Sequence, residues 1–282
     1  METHHFFTRQ RVLIVAGKGG VGKSAVSAAM AVAAARSGLR TLLVSLNPES
    51  TGVHGREHLE SVSVTPGGAL TDYLSSKGMG LLSRQLSRSG IVELVATTAP
   101  GLDDLLVLGR IKAFEKELRA DVIVVDGPAA GHAIDFVRAP SQLKSAIPSG
   151  PIGQQADEVI TLLGDPHRCR VVMVTTPAMT PVLETVEVIE ELTTARNITI
   201  AAIAVNMREP DAPSVAAAAL PPDMADAVRY ATARADGQRE AVDELRSRTS
   251  VPTFDVRRHL LDGEALVDAM ADEVTTGIEG LA

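Results

Sequence analysis

Gly17-Lys18-Gly19-Gly20-Val21-Gly22-Lys23-Ser24 decides how the rest of this chain is read. The stretch follows a short apolar run, Val12 to Val15, and opens an alanine-rich segment, Lys23 to Arg36, that Gly38 stops. A strand, a glycine loop and a helix in that order are what a phosphate-binding loop requires. Glycines permit backbone angles and close approach that a Cβ would block. Successive N–H groups then face phosphate oxygens, with the helix N-terminus behind them. Lys23 is placed to bring its charge to those phosphates, and the Ser24 hydroxyl to ligate Mg²⁺. At ~7% usage, four glycines at these places arise by chance in roughly two of 10⁵ registers, so a plain glycine-rich turn does not account for them. The expected nucleotide contacts are Gly17, Lys18, Gly19, Gly20, Val21, Gly22, Lys23, Ser24 and Ala25, and the expected ligand is ATP with Mg²⁺.

Outward from the loop the pattern is strand and helix in alternation. Thr41 to Leu46, Asp121 to Asp126, Arg170 to Thr175 and Ile200 to Val205 are short β-branched runs, with Thr253 to Val256 a sixth and Val62 to Val64 a weaker candidate. Continuous apolar strands between helices predict an α/β fold: a P-loop NTPase with a mostly parallel central sheet flanked by helices. Two spans break the rhythm. About 70–118 reads as a helical insert, with leucines at helical spacing from Leu102 to Ile111. About 139–163 holds Pro140, Pro148 and Pro151 before a helical segment from Gln154 to Leu163. Both are expected to form a helical subdomain within one domain, residues 1–282. Charged helices are expected from about Met224 to Arg248, and an amphipathic one from Glu264 to Ala282.

Composition narrows the function classes. The net charge is −8 and aromatics are few, with no Trp and two Tyr, so neither a basic phosphate-backbone surface nor stacking on single strands is expected. Cys169 is the only cysteine. It excludes an internal disulfide and fits a reducing cytoplasm. No stretch reaches the roughly 18 apolar residues that a membrane span needs, and Met1 to Gln10 lacks a signal pattern. A cytoplasmic protein is expected. His4 and His5 fall in a terminus expected to be flexible, and His54, His58, His167 and His259 read as surface residues.

Asp126 stands at the carboxyl end of a buried strand, where an acid meets the Mg²⁺ shell of a bound nucleotide. Lys18 is a second lysine within the loop, and it cannot easily fold back onto phosphates already held by Lys23. In this the sequence resembles the deviant Walker A group, and the resemblance implies that Lys18 reaches the nucleotide of a partner subunit in a dimer. Asp126-Gly127-Pro128-Ala129-Ala130-Gly131-His132 is similar to the switch II of ArsA-like ATPases, which include the arsenite-pump ATPase and the ATPases that guide tail-anchored proteins. Ala99 to Ile111, Gly150 to Ala156, Thr175 to Glu184 and Val205-Asn206 match the same family. By this resemblance Asn206 reads adenine, Asp126 and Ser24 hold the metal, and Lys18 and Lys23 stabilise charge in phosphoryl transfer.

The sequence departs from the family at four places. Asn47-Pro48-Glu49-Ser50 stands where the family's switch I begins with an Asp that orients the attacking water, and an amide cannot accept that water's proton. The cysteines that bind zinc or metalloid in the family are missing, so no structural zinc is expected and Cys169 reads as a packing residue. Met79 is the only methionine of the helical insert, so no Met-rich client groove is evident. The segment near Pro252 lacks the family's base-packing Leu-Pro pair. Three readings stay open: a dimeric ArsA-like ATPase handling a protein or small-ligand client, a non-hydrolysing subunit paired with an active paralogue, and a ParA/MinD-like positioning ATPase. The partner is a second copy or a paralogous ATPase.

Overall fold

The computed structural model describes residues 2–46, 53, 55–78, 100–211 and 220–281. Seven strands form one sheet: β1 (Val12–Gly17), β2 (Thr41–Ser45), β3 (Leu59–Ser63), β4 (Val122–Ala129), β5 (Cys169–Thr175), β6 (Ile200–Arg208) and β7 (Thr253–Arg257). Their order is β3-β2-β4-β1-β5-β6-β7, and every pairing is parallel. Alternation along β1 explains why both faces are covered. Val12 and Ile14 belong to one buried cluster and Leu13 and Val15 to the other, all at most 1% exposed.

Helices α1 (Thr3–Thr8), α2 (Lys23–Arg36) and α9 (Gly263–Glu279) cover the face of Leu13 and Val15. On α2 every residue from Val26 to Ala35 is buried. Such a helix has no solvent face, and its alanines let the sheet on one side and α9 on the other approach closely. Gly277 serves the same end, since a Cβ there would lie 2.8 Å from the Cβ of Phe254. The opposite face carries α3 (Pro66–Ser76), α4 (Leu102–Lys116), α5 (Ala130–Ala146), α6 (Gly150–Gly164), α7 (Met179–Arg196) and α8 (Pro222–Arg248).

Four differences from the sequence reading have physical causes. The N-terminus is ordered: α1 buries Phe6 and Phe7 edge-to-face, 5.3 Å between ring centroids, in the α2–α9 layer. His4 and His5 remain on its exposed side. Pro140 does not break the chain, because α5 carries Phe136, Val137, Ala139 and Leu143 into the core around it. That burial outweighs the roughly 3 kcal/mol an interior proline costs. Residues 222–248 make one helix rather than several, passing through Gly237. β4 runs three residues beyond Asp126, through a register irregularity opposite Val15 and Gly17. Pro128 is tolerated at that irregularity, as prolines are at bulges.

If α1 is part of the core, Phe7→Ala lowers the unfolding free energy by about 3–5 kcal/mol, whereas His4→Ala changes it by less than about 0.5 kcal/mol. Chemical denaturation of the two variants checks this.

Candidate functional site

Parallel pairing puts every strand's carboxyl end on one edge, where ligands of open α/β sheets bind. β1, flanked by β4 and β5, delivers the glycine loop to the middle of that edge. Its entry needs glycine, because a Cβ on Gly17 would lie 2.2 Å from the Val174 carbonyl oxygen. Gly20 and Gly22 hold φ of +83° and +85°, left-handed angles that glycine adopts freely. Gly22 is the N-cap of α2 and gives no side-chain cap. The first-turn N–H groups, which have no acceptor within a helix, are thereby left for an anion at the loop.

Lys18, Lys23, Ser24, Asp126 and Asn206 come together at this loop. Lys23 is half-buried, and its Nζ donates to the Lys18 carbonyl at 3.0 Å. Burial holds its ammonium below the usual lysine range, against the pull of Asp126. Asp126 is 6% exposed and pairs in register with Val15 of β1 and Ser45 of β2. Burial raises its carboxyl above the ordinary range, while hydrogen bonds from Ser24 and Ser27 and the charge of Lys23 oppose the rise. Lys18 points elsewhere: its Nζ meets Glu184 Oε1 on α7 at 2.6 Å. Ala25 lies half-buried in the first turn of α2.

Asn206 is 4% exposed, and its Nδ2 donates to the Val21 carbonyl at 2.8 Å. The same amide nitrogen would lie 2.3 Å from a Cβ on Gly22. A register irregularity between Val205 and Arg208, with Met207 at φ +60°, re-aims the end of β6. Asn206 therefore grips the loop.

Asn47, Pro48, Glu49 and Ser50 lie outside the described residues, as do His54, Met79 and the side chain of His132. Cys169 is buried, and burial pushes its thiol up to about 12, so it is a packing residue with no thiolate to offer. Ser24 and Asp126 supply a hydroxyl and a carboxylate, oxygen donors that suit Mg²⁺ if phosphate and water complete its shell. Among the described residues no group of three or more His, Cys, Asp or Glu is placed to hold a metal alone.

Three contributors escaped the sequence reading. Ser27 donates to Asp126 Oδ1 at 3.2 Å or to the Lys23 carbonyl at 2.9 Å; its place four residues after Lys23, on the same helix face, was the available signal. Gly127 allows β4 to pass β1, for a Cβ there would lie 2.5 Å from the Val15 carbonyl oxygen. Glu184 closed a matching stretch in the sequence without a role, and it is the partner of Lys18.

Residues 12–241 match the CobQ/CobB/MinD/ParA nucleotide binding domain. The chain belongs to this family. Among its relatives, ATPase BagA of Mycobacterium tuberculosis is 33% identical over 211 residues, covering 64% of this chain and 61% of the relative. ATPase GET3 of Chaetomium globosum is 28% identical over 152 residues, covering 49% and 45%. ATPase get3 of Aspergillus niger is 30% identical over 154 residues, again 49% and 45%. The chain thus spans less than two thirds of the length of these relatives. They agree with the ArsA-like resemblance of the sequence. No helix among the described residues is long and apolar enough to cross a membrane.

A carboxyl whose folded pKa lies above its unfolded value makes the fold most stable below the ordinary range, near pH ~4, and less stable as pH rises through the folded value. In EDTA and without nucleotide, Asp126→Asn is therefore expected to raise the unfolding free energy at pH 7, with the gain shrinking as pH is lowered toward ~4. A denaturation series across pH reads this, and an Asn variant less stable than wild type at pH 7 contradicts it.

Proposed function

We propose that this chain is an ATP- and Mg²⁺-dependent switch of the ArsA-like type that works as a dimer. The observation that carries the reading is the convergence of Lys23, Ser24, Ser27 and Asp126 on one glycine loop. In it, the loop N–H groups and Lys23 bind the β- and γ-phosphates, and Ser24 and Asp126 hold Mg²⁺, which neutralises charge on the transferring phosphoryl group. Ser27 orients the Asp126 carboxylate. Asn206 keeps Val21 in place and lies toward the base. On this reading residues 1–282 form one domain with helical inserts at about 70–118 and 139–163, and the protein works in the cytoplasm.

Lys18 supports the dimer. Its ion pair with Glu184 joins side chains 46% and 41% exposed, and such pairs are worth about 0–1 kcal/mol. Lys18 therefore leaves Glu184 at little cost when a partner's phosphates are offered. Loss of the γ-phosphate would then release Asn47 to Ser50 and Asp126 to His132, and with them the client.

Asn47 favours a second reading, a nucleotide-binding subunit that does not hydrolyse and regulates an active paralogue. An amide there positions water by hydrogen bonding but takes no proton.

Steady-state turnover at saturating Mg-ATP separates the two. The switch reading expects wild type to exceed Lys23→Ala by at least about 10²-fold. Equal rates, with hydrolysis appearing in Asn47→Asp, assign the chain to the non-hydrolysing class. Association is a separate measurement: sedimentation with ATP should show Lys18→Ala dimerising more weakly than wild type, and equal association refutes the role given to Lys18.

A further inference from the structure

A strained backbone angle inside β6 points to a residue that none of the sequence motifs includes. Among the described residues, four that are not glycine hold φ between +53° and +60°. His58 stands just before β3, and Leu118 and Asn197 follow the ends of α4 and α7, places where chains turn. Met207 differs. It lies within β6 at φ +60°, in the irregular stretch between the Val205–Asp255 and Arg208–Arg257 pairings. A methionine keeps such an angle only where its surroundings impose it. The residue before it is Asn206, whose amide holds Val21.

What imposes the angle follows directly in the chain. Glu209 Oε1 accepts from Arg258 Nη1 of the β7–α9 connection at 2.8 Å and lies 2.8 Å from Arg234 Nη2 of α8. The Glu209 N–H donates at 3.0 Å to Oε1 of Gln238, a buried residue of α8. Arg258 adds its own N–H, which donates to the Arg208 carbonyl at 2.9 Å. Four contacts from two separate elements therefore fix residues 208 and 209. The Arg258 and Arg234 guanidiniums hold the Glu209 carboxyl below the ordinary glutamate range, so it is ionised at neutral pH. Ion pairs to arginines this exposed add little to global stability. Together they decide where the end of β6 lies, and Met207 has to span from that end back to Asn206.

We propose that Glu209 is a positioning residue for the glycine loop: its clamp on Arg234 and Arg258 holds Met207 at positive φ and thereby keeps the Asn206 amide on the Val21 carbonyl. Without the clamp Met207 relaxes to an ordinary φ, the neighbouring peptides turn, and the amide leaves the loop. Glu209 is no part of the phosphate or metal site; it acts through Asn206. The clamp is a property of the chain alone, and only the binding measurement below rests on the nucleotide reading.

Exchange of the Asn206 side-chain amide protons with water, followed by NMR without nucleotide and assigned with Asn206→Ser, reads the grip directly. Glu209→Gln keeps the shape, removes the charge and is expected to speed that exchange about tenfold. Arg258→Gln, a change at an exposed position, acts in the same direction. Met207→Asn in the Glu209→Gln background should return exchange to within about threefold of wild type, because asparagine takes this angle readily and needs no clamp. Calorimetric titration with Mg-ADP is the second measurement. Glu209→Gln weakens binding about tenfold in the wild-type background but less than about twofold in Asn206→Ser, the coupling expected of a residue that acts through Asn206. Circular dichroism verifies that each variant is folded at the temperature used. Unchanged Asn206 exchange in Glu209→Gln overturns the proposal, as does failure of Met207→Asn to restore slow exchange. Additive losses in the binding cycle also overturn it, for a merely stabilising ion pair would give them. Wild type that binds no Mg-ADP counts against the nucleotide reading alone, since the exchange rates still decide the clamp.

Discussion

The close passage of β1 between β4 and β5 governs the rest of this molecule. A Cβ on Gly17 would lie 2.2 Å from one neighbour's backbone, and a Cβ on Gly127 would lie 2.5 Å from the backbone of β1 itself. Those two glycines let three parallel strands lie side by side to the point where β1 turns into the loop, β5 in unbroken register with β1 and β4 shifting between Val15 and Gly17. Parallel order then brings Asp126, Val174 and Asn206 to the same edge. Burial on both faces follows from the same order, because each parallel connection returns a helix over the sheet. The site is the place where that packing stops and the unpaired N–H groups of α2 begin.

Electrostatics at the edge are poised against burial. Lys23 and Asp126 are both held away from their ordinary pKa by desolvation, in directions that weaken each charge, and each partly restores the other. A ligand that brings both phosphate and a divalent cation relieves the two at once, since each charge then meets its complement in a site already shaped for it. A phosphate alone would help Lys23 and oppose Asp126. On the proposed reading, that arrangement would suit the metal complex of a nucleotide better than a bare anion.

Much of this was legible in the residues. The five inner strands show as short apolar runs, because strands buried on both faces cannot carry a polar alternation, whereas the edge strands β3 and β7 alternate with polar residues and leave a weaker signal. The glycine loop is legible because its spacing is a local property of the chain. What could not be read depends on contacts far apart in sequence. Ser27 and Asp126 are 99 residues apart, and Lys18 and Glu184 are 166 apart. The extension of β4 through Gly127-Pro128 contradicts local propensity and exists only because β1 is there to pair with it. α1 has six residues, too few to be stable as a helix alone; the docking of Phe6 and Phe7 makes it one.

The hydrogen bond from Asn206 to the Val21 carbonyl ties the end of β6 to the loop between β1 and α2. With the amide also filling the space beside Gly22, the two segments have no slack between them. The end of β6 is thereby a wall of the phosphate loop although β5 lies between β6 and β1 in the sheet: a side chain larger than glycine at position 22 would have to displace the Asn206 amide, so the two positions are constrained together.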